Sequence, residues 1–418
     1  MMKKVVYVHC DGLGRSWIKK SSMPFLWRLL IEGQYFSQYH AVYPSATRPS
    51  AATVATGAFP GAHGLTGNRL VLQKEGALEV FDVGDPNFFP QWRSLRSGTA
   101  LRLPTLAERL KNFGGFRAFS NVSAGAAYAL DPDHFGYIHH RAGSFGPGGV
   151  PLTEPLKGDD ISGDWWMARK FVDHLRKTGS ESVHFLWLAN PDKTLHTNPL
   201  GSVTHIEALK SADEIIRYVH AVVRDLRRQG MDILFLTGSD HGHESVGQGI
   251  NINKWAEEAG FGPELRSGAL AFATQGLSFT IYAQNMSEAR QAQLLAHLER
   301  QAWVGEIKTV EQLQDIGLRD DALLAAVNMS GYVHDHGVQK RYAAFENDAF
   351  EHIGFGQHGG WGDEEMAPYL VLEHPDLPSK NIDAKTTLTD IAPTILDFLN
   401  VAYQGLDGKS RWPASKFH

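Results

Sequence analysis

Cysteine is all but missing. Cys10 is the single one in 418 residues, which excludes a disulfide framework and a thiolate metal cluster and leaves the 20 histidines and the acids as possible ligands. A strong charge of either sign is missing too. Forty Lys and Arg against 46 Asp and Glu give a formal net charge of −6, so nothing draws the whole chain to a nucleic-acid polymer or an anionic membrane, and phosphate recognition has to be local. No window approaches the roughly 18 uninterrupted apolar residues of a membrane helix. The N-terminal MMKKVVYVHCDGLG has an apolar run too short for a secretory leader and reads as a first strand. Internal repeats and low-complexity tracts are absent. The expectation is a cytoplasmic protein without a membrane segment, acting on a small molecule.

What is present is an alternation. Val5 to Val8, Phe116 to Phe119, Val183 to Leu188, Asp232 to Leu236 and Tyr369 to Leu372 are short β-branched or aromatic runs separated by helical patterns. That order predicts an α/β fold, a mostly parallel sheet with helices on both faces. The strongest helix pattern is His205 to Arg228, where Ile206, Leu209, Ile216, Val219, Val223 and Leu226 recur at mostly three- and four-residue spacing. Another helix is expected near Pro104, with Leu106, Leu110 and Phe113 on one face, and a closing one over Thr389 to Leu399. Gln73 to Ser97 and Ala142 to Gly158 read as long loops over a site. Residues 252–350 carry their own strand, LSFTIYAQ, and a helix over Ser287 to Gln301, which predicts a cap subdomain inserted between core segments 1–251 and 351–418.

Open parallel sheets deliver ligands at the carboxyl ends of their strands. Asp11 follows VVYVHC, Asp192 and His196 follow VHFLWLANP, Asp240 and His241 follow DILFLTGS, and His358 sits in GQHGGW. Three Asp and three His suit two divalent metals with nitrogen and oxygen ligands, and such a pair can clamp the two oxygens of an in-line phosphoryl displacement. Thr47, in YPSATRPSAATVATG, reads on local grammar as a helix cap before Pro49. Beside metals, its hydroxyl can instead be a nucleophile, with free helix amides for a phosphoryl oxygen. Other residues have blander readings. A dinucleotide loop at Gly12 and Gly14 fails because Trp17 stands where its last glycine belongs. His63 reads as a turn residue, and His139, His140, His334 and His336 as surface-loop histidines near the cleft. His243 and Glu244 either orient His241 or are solvated loop residues. Asn68 and Asn190 lie near these blocks without an assignable role.

CDGLG, SATRPSAATVATGAFPGAHGL, NPDKTLH, GSDHG, GQHGGW and GLDGKS together resemble the alkaline phosphatase superfamily, in its type I phosphodiesterase/nucleotide pyrophosphatase branch, in the same order along the whole chain. The resemblance implies that Asp192, His196 and His358 hold one metal, that Asp11, Asp240 and His241 hold the other, and that Thr47 is the nucleophile bridging them. It implies zinc, while the ligands alone would also accept manganese or iron. Arg48 and Ser50 are expected at the substrate; Ser50 departs from the nucleotide pyrophosphatase pattern, which leaves nucleotide specificity open. Thr-Arg-Pro-Ser is also similar to the sulfatase Cys-x-Pro-Ser, but Thr47 is neither of the residues from which formylglycine is made. The expected function is a phosphodiesterase acting on a small diester or pyrophosphate, the alternatives being a phosphonate C–P hydrolase or a phosphomonoesterase. A non-catalytic scaffold is disfavoured because all six ligand positions and the nucleophile are filled.

Overall fold

Val5, Val6, Tyr7 and Val8 have no side-chain face left for water, and the strand they form, Lys3–Cys10, lies at the centre of a ten-stranded sheet. It pairs in parallel with Val183–Leu188 on one side and Asp232–Gly238 on the other, and Phe116–Ser120 extends the parallel set. The expected last strand, Leu370–Glu373, runs antiparallel to Asp232–Gly238, so the sheet is mostly, not wholly, parallel. These are features of a computed structural model that describes residues 3–85, 87–95, 98–153, 158–177, 179, 181–334 and 338–413.

Side-chain alternation along the central strand separates two cores. Val6 and Val8 pack with Leu186, Phe235 and the helix Val203–Arg228, whose Leu209, Ile216, Val219 and Val223 are buried. Ser202 caps that helix, its side chain accepting from the His205 amide. Val5 and Tyr7 pack on the other face with Phe185 and with the helices Thr47–Thr56 and Ile391–Leu399. No helix among the described residues is long and apolar enough to cross a membrane.

Several expectations need correction. Gln73 to Ser97 is not one long loop: Arg69–Lys74 and Ala77–Asp82 form a hairpin, followed by the helix Phe88–Leu95. Its turn residues Glu75 and Gly76 take positive φ, 52° and 87°, the twist a tight hairpin needs, and the Pro, Phe and Trp content masked the short alternation. The glycine-rich stretch from Ala142 contains the strands Ser144–Gly146 and Val150–Leu152, which extend the sheet edge; residues 154–157 lie outside the described set. The helix near Pro104 is only Leu106–Leu110, and Phe113 is exposed beyond it. His139 and His140 are buried, not surface residues, with the His140 Nε2 2.8 Å from the Val122 carbonyl. His336 lies outside the described residues.

Within 252–350, Leu270–Thr274, Ser278–Ala283, Leu323–Met329 and Val304–Thr309 form a separate antiparallel sheet. The Ser287-capped helix Glu288–Leu298 contributes Leu294 and Leu298 to its core with Phe272, Phe279 and Val327. Two adjoining residues, Gln275 and Glu346, reach back to the main body. Gln275 Oε1 accepts from the Asn68 amide at 2.7 Å, and Glu346 Oε1 is 3.1 Å from Arg69 Nε.

Candidate active site

Strand ends set the acids. Asp11 follows Lys3–Cys10 directly, Asp240 stands two residues past Asp232–Gly238, and Asp192 opens the short helix Asp192–Leu195 beyond Val183–Leu188. The turn before Asp192 is fixed by buried Asp164, which accepts from the amides of Ala189 and Asn190 (2.9 and 3.1 Å) and from the Asn190 side chain (2.8 Å). This gives Asn190 a structural role. Asp240 is fixed from beneath. Its Oδ1 accepts from the Gly12 amide at 3.1 Å and lies 3.5 Å from His9 Nε2, whose other ring nitrogen meets Tyr7 Oη at 2.7 Å.

Thr47 is the first residue of its helix, but it is not the cap. Ala46 takes that position, and no side chain caps the amides there. The Thr47 hydroxyl lies instead 3.3 Å from His241 Nε2. Of the first-turn helix amides, the described hydrogen bonds leave only that of Thr47 for a ligand. Arg48 N–H donates to Asn68 Oδ1 (3.3 Å), Pro49 has no N–H, and Ser50 N–H donates to the Ala46 carbonyl (3.1 Å).

The site histidines share one pattern. His241 Nδ1 is 3.0 Å from the Gly242 carbonyl, and His358 Nδ1 is 2.7 Å from the Ser45 carbonyl. Because a carbonyl only accepts, Nδ1 carries the hydrogen and Nε2 presents a lone pair to the acids. His241 Nε2 stands 3.3 Å from Asp240 Oδ2 and 3.7 Å from Asp11 Oδ1, and His358 Nε2 stands 3.4 Å from Asp192 Oδ1. Asp11 Oδ1 and Asp240 Oδ2 are buried without a hydrogen-bond donor. Burial, then the charges of Asp240 and Asp192, push the Asp11 carboxyl well above its usual range. Burial works the same way on Asp192, but His196 and His243, when protonated, outweigh it and hold that carboxylate well below the usual range. Lone pairs facing orphaned carboxylate oxygens form the electrostatic imprint of cations.

Two groups place one ligand atom per residue within 4.8 Å of one another: Asp11, Asp240 and His241, and Asp192, His241, His243 and His358. The nitrogen and oxygen donors fit divalent transition metals. His196 lies outside the tight groups. Its Nε2 is 3.3 Å from Asp192 Oδ1, its side chain is 21% exposed, and it lines both adjoining cavities. His243, which the sequence left between two readings, meets the His241 ring edge-on at 5.4 Å between centroids but directs its Nε2 to Asp192, while Glu244 pairs with Arg341 at 2.6 Å.

A cavity of about 240 Å³ is lined by Asp11, Thr47 and Asp192, and one of about 460 Å³ shares part of its lining. Arg48 and Asn68 line both. The Arg48 guanidinium is already engaged, donating to Asp82 (3.0 Å) and to the Asn68 carbonyl (3.1 Å). Ser50 is fully buried and lines neither cavity, because it sits on the inner side of a helix whose residues are nearly all enclosed. Asn68 stands there instead, a position no local motif marks. In the smaller cavity Arg141 and Lys193 both hold Asp159, at 3.1 and 3.3 Å.

Glu365 also escaped the sequence reading. This fully buried carboxylate accepts from Ser45 Oγ (2.8 Å) and from the amides of Gly360 (2.7 Å) and Gly362 (2.9 Å). It thereby ties the segment before Thr47 to the loop after His358. Burial, with Glu244 nearby, pushes it up to about 7.

The profile of the type I phosphodiesterase/nucleotide pyrophosphatase family matches residues 5–345. Among solved structures, murine ectonucleotide pyrophosphatase/phosphodiesterase 5 is similar with a TM-score of 0.68 at 15% identity, covering 97% of this chain and 98% of that one. The human counterpart gives 0.66 at 15% identity over 97% of each chain. Phosphonoacetate hydrolase from Sinorhizobium meliloti 1021, in complex with phosphonoformate, gives 0.67 at 16% identity over 96% of each. At such identities the likeness shows a common fold.

Proposed function

Because this chain belongs to the type I phosphodiesterase/nucleotide pyrophosphatase family of the alkaline phosphatase superfamily, a family of hydrolases acting on phosphate esters or phosphonates, we propose that it hydrolyses small phosphate diesters through a threonine nucleophile and two divalent metals. The observation that carries this reading is the Thr47 hydroxyl, unused as a cap and 3.3 Å from His241 Nε2, in the lining of a cavity with buried acids. Asp192, His196 and His358 would hold one ion, and Asp11, Asp240, His241 and Thr47 the other. Zinc is the expected element, although the donors also suit manganese or iron. When bound, the two ions supply positive charge to the transferring phosphoryl group and acidify hydroxyl and water.

Thr47 Oγ1 forms a bond to phosphorus as the bond to the leaving oxygen breaks, and its proton passes to solvent in the smaller cavity. The leaving oxygen is protonated from the same water. Asn68 keeps its amide oxygen on the Arg48 N–H, which leaves its NH₂ as the donor available to a phosphoryl oxygen. Water then attacks the phosphothreonine, restoring the hydroxyl with overall retention at phosphorus. Residues 252–350 act as a cap in this reading, since Thr274, Gln275 and Glu346 line the larger cavity.

A charge count favours a diester. Two divalent ions are balanced by Asp11, Asp192, Asp240 and a Thr47 alkoxide, so a monoester dianion adds a charge that Arg48, already paired with Asp82, does not meet. A phosphonate reading draws on Arg141 and Lys193 as partners for a substrate carboxylate, but Asp159 occupies both. Turnover of an aryl diester, the matching monoester and phosphonoacetate tests this directly. The diester should lead in kcat/KM, and Thr47→Ala should abolish its turnover while costing little stability. A monoester or phosphonoacetate preference replaces the diester reading, and a fully active Thr47→Ala removes the nucleophile.

A further inference from the structure

Of the three histidines that contact Asp192 Oδ1, His243 is the most enclosed, with a side chain 1% exposed against 4% for His358 and 21% for His196. Its ring is held in one orientation. Nδ1 lies 3.0 Å from the Gly12 carbonyl, and Nε2 lies 2.9 Å from Asp192 Oδ1. The wall beside it is made of glycine: a Cβ on Gly12 would stand 2.3 Å from His243 Cε1, and one on Gly356 3.1 Å from His243 Cδ2. Gly12 has φ +66°, so the backbone there also favours glycine. Space has been cleared for this ring on both sides.

Both ring nitrogens face oxygens that only accept, and a neutral imidazole has a single N–H. With the hydrogen on Nδ1 for Gly12, the Nε2 lone pair points at a carboxylate, a repulsive contact unless a cation lies between them. His358 presents the same arrangement to the same oxygen, with Nδ1 on the Ser45 carbonyl and Nε2 3.4 Å from Asp192 Oδ1. Two imidazole lone pairs thus converge on Asp192 Oδ1 from rings whose centroids are 5.2 Å apart. His196 approaches the same oxygen from the cavity side.

We propose that His243 is itself a ligand, through Nε2, of the ion that Asp192 holds. The inference rests on the two-metal reading and adds a third imidazole where the sequence motifs supply two. His243 and His358 form the enclosed part of that shell. His196, whose Nδ1 has no partner and whose ring borders both cavities, is the ligand on the substrate side.

The test uses the full chain with ¹⁵N-labelled histidine, stripped of metal and reloaded with ¹¹³Cd. Bound cadmium is counted, and the histidine nitrogens showing scalar coupling to cadmium are resolved. Two ions and four coupled Nε2 atoms, from His196, His241, His243 and His358, are expected. Two ions with coupling from His196, His241 and His358 alone overturn the inference and leave the two-metal reading standing. Fewer than two ions overturn both. Because this measurement needs only the parent protein, it does not depend on a variant folding. As a second readout, His243→Gln should weaken one of the two cadmium sites by about a hundredfold or more, the upper end of what losing a supporting group costs. An unchanged pair of affinities overturns the inference.

Discussion

The two ends of the central sheet pair their acids differently. On the edge where the parallel strands begin, Glu181 and Glu373 each have an arginine, while Asp232 there pairs with His374 at 2.7 Å. Glu181 accepts from Arg117 at 2.9 and 2.8 Å, and Glu373 accepts from Arg227 Nη1 at 2.9 and 2.8 Å. At the carboxyl ends, Asp11, Asp192 and Asp240 have only histidines as ion-pair partners among the described residues. A planar guanidinium completes an acid permanently, whereas an imidazole leaves it open to a cation that can come and go. The difference separates acids that hold the fold together from acids that wait for a ligand.

The largest break in this comparison is Asp11→Asn. Turnover should fall by several orders of magnitude, as expected when an anionic ligand proposed for one ion is removed from a phosphoryl-transfer site. In excess chelator the same variant should melt higher than the parent, by an amount on the order of 1 kcal/mol, because one of three crowded carboxyls has been neutralised. A lower melting temperature than the parent in chelator would show that the protein alone satisfies Asp11. Arg227→Met sharpens the other side. It should destabilise the chain by up to about 3 kcal/mol, the low end for a fully buried ion pair, because this pair is half-buried, and by the same amount with or without chelator. The smallest effect is in acid. Burial opposes the Glu373 carboxylate, but His220 and Arg227 hold its pKa at about 2, below the ordinary 4.5. The stabilisation is therefore complete above about 4.5 and lost as pH falls from there towards 2. Urea titrations across that window should show a shallower acid loss in Glu373→Gln than in the parent, and equal slopes would break the assignment.

How far the sequence could be read follows the same division. The strands Val183–Leu188 and Asp232–Gly238 were legible because both faces are buried, which makes the apolar run continuous. The acids at their ends were legible because an open parallel sheet leaves few other places for a ligand. The hairpin Arg69–Lys74/Ala77–Asp82 was not, since one of its faces stays wet and its turn carries Glu75 at positive φ. Asn68, His243 and Glu365 were missed or left open for a different reason: each acts on partners far along the chain. Glu365 reaches Ser45 across 320 positions, a relation without local periodicity. Only the repeated histidine in DHGH hinted at His243, and that spacing alone could not say which acid it faces.

Gln275 carries a lesson for anyone rebuilding this enzyme. Its side chain accepts from the Asn68 amide and donates to the Arg69 carbonyl at 3.0 Å, and Gly67 leaves no room for a Cβ against it, with 2.4 Å to Gln275 Nε2. Segment 252–350 is therefore tied to the rest of the chain at the site itself: Gln275, one of the residues by which they meet, also holds the backbone of Asn68, whose side chain is proposed to donate to phosphate. Replacing that segment to reshape the larger cavity would also disturb the proposed phosphate contact, so in this reading selectivity and speed are written with the same letter.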